Sequence, residues 1–135
     1  MNDSVLTPPV KEYLLAFADD EHLMGQQHTE WIGVAPFLEE DMAFASIGQD
    51  ELGHALMLYT LILECPSGID TYVFNRKSEE WRSCQLVEST HRRWEEALIR
   101  HWCYDMAEDL RWELFSDSSL PELISISERA LKEET

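Results

Sequence analysis

The chain has 135 residues, of which 44% are apolar, and its five Trp, five Phe and four Tyr are enough for one packed domain spanning residues 1–135. Lys and Arg total 10 against 27 Asp and Glu, a net charge of −17, which argues against a nucleic-acid binder and against an anionic membrane surface as target, because both need clustered cations. No apolar run approaches the ~20 residues that span a bilayer, and Met1-Asn2-Asp3-Ser4 lacks the basic-then-apolar pattern of a secretory signal, so a cytoplasmic chain is expected.

Thr7-Pro8-Pro9 opens the first periodic stretch, and Pro suits the first turn of a helix. The spacing predicts helix one from about Val10 to Ile32, with Gly33-Val34-Ala35 turning the chain. Pro36 opens helix two, whose first turns carry Glu39, Glu40 and Asp41, acids that a helix N-terminus favours. It runs to about Glu64, where Cys65-Pro66-Ser67-Gly68 stops it. The stretch from Ile69 to about Trp81 has no clear period. Helix three is expected from about Gln85 or His91 to Phe115, ended by Ser116-Asp117-Ser118-Ser119. Pro121-Glu122 opens helix four, which still runs at Thr135. Cys65, Cys84 and Cys103 are too widely spaced for a CxxC pair and too few for a disulfide framework. Four helices with short hairpin turns and one long connection predict an all-α bundle.

Leu14, Phe17, Ala18, Met24 and Ile32 share a face of helix one, and Phe44, Ile47, Ala55, Leu58, Leu61 and Ile62 share one of helix two. Polar residues fall inside these stripes. Glu21 lies between Ala18 and Met24, and Glu51 and His54 lie between Ile47 and Leu58. A buried charge is costly unless it is paired or metal-bound. Glu51-Leu52-Gly53-His54 is a Glu-x-x-His unit whose side chains leave one helix face, and di-iron carboxylate bundles use that unit twice, with one further carboxylate from each of two other helices. Carboxylate with imidazole suits iron or manganese.

A second hairpin with nearly the same separation pairs Asp105 on helix three with Glu134 on helix four. Asp105 lies on a stripe with Leu98, Trp102 and Trp112, and it competes with Glu108, Asp109 and His101. Glu134 is preferred over Glu133, which shares a face with Arg129. A His three residues after Glu134 would fall past Thr135.

Blander readings stand beside these. A Glu-x-x-His unit on a helix is a weak signal alone, and Glu21 pairs as readily with His28 on the same face. Trp94, Trp102 and Trp112 suit a core better than a cofactor box. The run Glu39-Glu40-Asp41 reads as a solvated helix start. His22, His91 and His101 read as surface or satisfied groups. An inward His and three carboxylates form a strained, self-repelling cluster without metal, so removing the His should cost the metal-free fold little.

Several segments together resemble one family. They are Tyr13-Leu14-Leu15, Ala18-Asp19-Asp20, Gln26 through Glu30-Trp31, Ala35-Pro36 with Leu38-Glu39-Glu40-Asp41, Ala45 through Ala55, Tyr72 through Arg76, Leu86-Val87-Glu88 and Leu131 through Glu134. Each is short, and the combination resembles the phenylacetic acid catabolic family, the ferritin-like subunits of ring-1,2-phenylacetyl-CoA epoxidase. The resemblance covers nearly all of this chain and about the first half of a typical member. It implies a ferritin-like four-helix bundle with the fourth helix cut short. Of the family's two branches, the overall wording is closer to the structural subunit. Glu21, Glu51, His54 and Asp105 nevertheless match the pattern of the catalytic one, and Lys132-Glu133-Glu134-Thr135 matches the start of a Lys-Glu-Glu-x-x-His ending.

The resemblance implies two iron ions, O₂, an aromatic acyl-CoA substrate, a separate reductase, and a homo-oligomer or a related ferritin-like subunit as partner. The first reading is therefore a di-iron oxygenase subunit with Glu21, Glu51, His54, Asp105 and Glu134 as ligands, manganese being the other metal. A non-catalytic scaffold subunit is the second, and an erythrin-like metal-binding bundle the third.

Overall fold

The computed structural model describes residues 7–63, 68–88 and 93–134. Its helices are α1 (Pro8–Thr29), α2 (Leu38–Leu63), α3 (Ile69–Phe74), α4 (Gln85–Glu88), α5 (Trp94–Phe115) and α6 (Pro121–Glu134), with a 3₁₀ turn at Ser78–Glu80. No strand occurs among the described residues. The protein is all-α. The four long helices form the bundle: α1 packs on α2, α5 packs on α6, and α2 meets α6. No described helix is long and apolar enough to cross a membrane.

The first turn differs from the periodicity by a few residues. α1 ends at Thr29, because Trp31 and Ile32 donate their N–H groups to His28 and Thr29 in tight turns rather than continuing the α-ladder. Gly33 then adopts φ +84°, which an L side chain resists. Its N–H donates to the Asp41 carboxylate at 3.0 and 3.1 Å. One acid of the expected solvated run thus ties the turn to the start of α2, which opens at Leu38 instead of Pro36. The expected stop over Cys65-Pro66-Ser67 and the candidate start at His91 lie outside the described residues.

The aperiodic stretch is organised by acids on α1. Buried Asp19 accepts the Arg82 backbone N–H at 2.9 Å and two guanidinium bonds from Arg76, at 2.8 and 3.2 Å, and Tyr59 also donates to it. The Arg76 guanidinium lies 4.0 Å from the Trp81 ring centre and 4.7 Å from that of Tyr72. Asp20 accepts the Cys84 N–H at 2.8 Å and Arg111 at 3.0 Å. A connection without hydrophobic period is thereby fastened by charge-assisted bonds.

The main core joins Leu14 and Phe17 of α1, Leu58 and Tyr59 of α2, Val73 of α3 and Trp112 of α5. Phe17 stacks 4.7 Å from Trp112, centre to centre. Phe44, Leu58 and Trp112 are buried, so the bundle interior is covered at these positions. Apolar surface is left open on α5, where Trp102 is 63% and Leu114 74% exposed and Ile99, Met106 and Leu110 line up with them, and around the turn into α2, where Val34, Phe37, Leu38 and Met42 are exposed.

Two glycines set how closely α1 and α2 approach. A Cβ on Gly25 would sit 2.7 Å from Leu52 Cγ and 3.0 Å from the Gly48 carbonyl oxygen. One on Gly48 would meet the Gly25 carbonyl at 3.1 Å and His28 Cβ at 3.3 Å. Gly25→Ala is expected to destabilise the chain by about 1 kcal/mol net, with overpacking of about 2 kcal/mol outweighing a helix-propensity gain of about 1 kcal/mol. Urea midpoints of the two proteins measure it, and a variant at or above the parent midpoint would show that the crossing tolerates a methyl group.

Candidate metal centre

Helical spacing carries Glu21 inward, as the apolar stripe requires, and the side chain is fully buried. Tyr104 of α5 donates its hydroxyl to Glu21 Oε2, and His54 Nδ1 lies 2.9 Å from Glu21 Oε1. The same His54 nitrogen lies 3.5 Å from Glu108 Oε2, and its Nε2 lies 2.7 Å from Glu133 Oε1. Trp112 donates its indole N–H to Glu108 Oε2 at 3.3 Å. Glu21, His54 and Glu108 are thus one buried group from three helices, with metal-ligating atoms all within 4.8 Å of one another.

Electrostatics inside this group follow from burial and like charge. Burial first, then the neighbouring Glu21, push the Glu108 carboxyl well above its ordinary range. Burial, then the Glu21 and Glu108 charges, push Tyr104 far up, so it stays a neutral donor. Burial works to lower His54, but hydrogen bonds to Glu108 and Glu133 and their charges overcome it, and its pKa is raised. The ring therefore bridges the side chains of Glu21, Glu108 and Glu133.

Glu51 is also buried, yet it belongs to a neighbouring group. His28 Nδ1 lies 2.5 Å from Glu51 Oε1, and His101 of α5 completes a second set within 4.8 Å. Burial, with the charges of His101 and Arg100, lowers the His28 pKa to about 3. With the imidazole held far below its ordinary pKa, the His28–Glu51 contact is a hydrogen bond rather than an ion pair. His101 is lowered for the same first reason, burial.

Three of the expected ligands, Glu21, Glu51 and His54, point inward, with Glu21 against His54 and Glu51 turned to His28. Asp105 is half-buried and outside both groups, and Glu108 takes the inward place on α5. The buried stripe there is Ala97, Arg100, Tyr104, Glu108 and Trp112, so the phase set by Leu98 and Trp102 is rotated, because polar residues that find partners inside displace apolar ones. The Glu134 side chain lies outside the described residues, and Glu133 reaches His54. His28 pairs with Glu51, not Glu21. His22 is buried beside Tyr59, Phe74 and Trp81 rings, and His101 is half-buried, so neither is a plain surface group.

The donor chemistry fits a divalent transition metal, since carboxylates and imidazoles suit iron, manganese or zinc. Glu108 Oε1 is buried with no hydrogen-bond partner among the described residues, which leaves a lone pair for a cation.

A family model described as phenylacetic acid catabolic protein matches residues 2–135. The chain is 32% identical over 123 residues to one of the subunits of the 1,2-phenylacetyl-CoA epoxidase of Escherichia coli (strain K12), a match that covers 90% of this chain and 50% of that protein. The chain thus spans about half the length of this curated relative. With a helical bundle and a matching model over almost every residue, the chain belongs to the phenylacetic acid catabolic protein family.

Proposed function

We propose that this chain is a subunit of an epoxidase of the phenylacetyl-CoA type, acting on an aromatic acyl-CoA with O₂, and that its buried carboxylate–histidine cluster holds iron. The observation that carries this reading is the Glu21–His54–Glu108 group, placed by three helices inside the bundle of a family member. Iron there would supply O₂ activation. Glu21, His54 and Glu108 would hold it, with Glu133 beside His54 and Glu51 in the adjoining group. Tyr104 orients Glu21 through its hydroxyl, and Trp112 orients Glu108. The packed rings of Phe17 and Trp112 help to keep water from the cluster.

Partner subunits are part of this reading. The open α5 face of Ile99, Trp102, Met106, Leu110 and Leu114 is the kind of contiguous apolar surface that marks an interface. A second copy or a related ferritin-like subunit would cover it, and a reductase would deliver electrons.

A scaffold role is the second reading. It is favoured by the hydrogen bonds of Tyr104, Trp112 and His54, which satisfy much of the cluster without a cation.

Anaerobic loading with Fe²⁺, metal analysis, and incubation with phenylacetyl-CoA, O₂ and a chemical reductant test both. Retained iron with an oxygenated thioester product supports the epoxidase reading. Retained iron without turnover, alone or with the other epoxidase subunits, leaves a metal-binding bundle. No retained iron leaves the scaffold.

A further inference from the structure

Glu51 and His54 stand three residues apart on α2, yet they serve different groups. Glu51 faces His28 of α1 and His101 of α5. The two imidazole rings meet edge to face, with centres 4.8 Å apart and planes at 80°. Phe44 closes the apolar side, 4.6 Å from the His28 ring and 5.4 Å from that of His101. His28 is fully buried. Within this pocket His28 Nδ1 contacts Glu51 at 2.5 Å, while His28 Nε2 and His101 Nδ1 are buried without a hydrogen-bond partner among the described residues. Two buried, unpartnered nitrogens on adjoining rings are unusual in a packed core.

We propose that His28, Glu51 and His101 form a binding site for a divalent transition-metal ion, separate from the Glu21–His54–Glu108 group. Two imidazoles and one carboxylate are a donor set that holds non-haem Fe(II), and they also suit Zn(II) and Co(II). The residues come from three helices, so the site exists only in the folded chain. The buried Arg100 guanidinium beside it opposes a further cation, so binding is weaker than the same three donors would give alone. His101 and His28 lie outside the ligand set expected from the Glu-x-x-His pattern, and the assignment does not depend on the epoxidase reading.

The test is a titration of the metal-free full chain with Co²⁺, read by visible ligand-field absorption and by bound cobalt per chain after desalting. Two equivalents are expected. His101→Gln should remove one of them, and His28→Gln the same one, while His54→Gln removes the other. If His28→Gln fails to fold, His101→Gln, at a half-buried position, carries the test. A single equivalent lost in His101→Gln and kept in His54→Gln supports this site and rejects metal at the Glu21 group. Wild-type chain that binds no cobalt, or cobalt binding unchanged in both His101→Gln and His28→Gln, overturns the proposal.

Discussion

Asp19→Ala is expected to lower stability by about 3–5 kcal/mol, the usual cost of removing one member of a buried ion pair. The carboxylate is fully buried and accepts bonds from Tyr59, Arg76 and the Arg82 backbone. The Arg76 side chain is itself almost fully buried, at 4% exposure, against Trp81 and Tyr72. Alanine would leave that guanidinium without its counter-charge and the Arg82 N–H without its acceptor. Urea unfolding should register the loss, and Asp19→Ala combined with Arg76→Met should recover part of it, because an apolar pair carries no desolvation penalty. A single variant within about 1 kcal/mol of the parent would mean that water reaches the pair.

His54→Ala should cost the metal-free chain a comparable amount, about 3–5 kcal/mol. This reverses what the sequence suggested, that removing the His would relieve a repelling cluster. The ring lies between Glu21, Glu108 and Glu133, and the bonds and charges of Glu108 and Glu133 raise its pKa against the effect of burial, so removing it takes from three acids their common partner. Without it, Glu21 and Glu108 face each other in a buried site where Glu108 already resists ionisation. Glu108→Gln should act in the opposite direction and raise the urea midpoint of the metal-free chain at pH 8. Its parent carboxyl has a raised folded pKa, so its penalty grows as pH rises from the ordinary carboxylate range toward that value, and an amide has none. Equal midpoints for parent and His54→Ala at pH 7.5 would show that the cluster does not need the imidazole.

The inward acids of α1 and α2 could be read from residue order alone, because Ala18, Met24, Ile47 and Leu58 fix the phase of Glu21, Glu51 and His54. The same logic misplaced α5. Ile99, Trp102, Met106, Leu110 and Leu114 are large and apolar but exposed, while Arg100, Tyr104 and Glu108 turn inward. A signal existed, since Arg100, Tyr104, Glu108 and Trp112 recur every four residues, but a stripe defined by apolar residues alone passes over it. His28 against Glu51 could not be read, because that contact depends on how closely Gly25 and Gly48 let two helices cross. Pairing across helices is non-local and leaves no mark on the periodicity of either one.

The backbone N–H groups of Arg82 and Cys84 lie in a non-helical segment, yet both end on acids of α1, Asp19 and Asp20. No ladder shields these two amides from deuterium. Their exchange is slowed only while the strap from Arg76 to Cys84 stays seated on α1. Lifting that strap need not separate α1 from α2, whose pairing is local in the chain and closed by a short turn. The two amides should therefore exchange through a partial opening, well before the α1–α2 interior becomes accessible. A deuterium pulse at Arg82 and Cys84 thus clocks the loosening of one edge of the molecule while the rest stays folded.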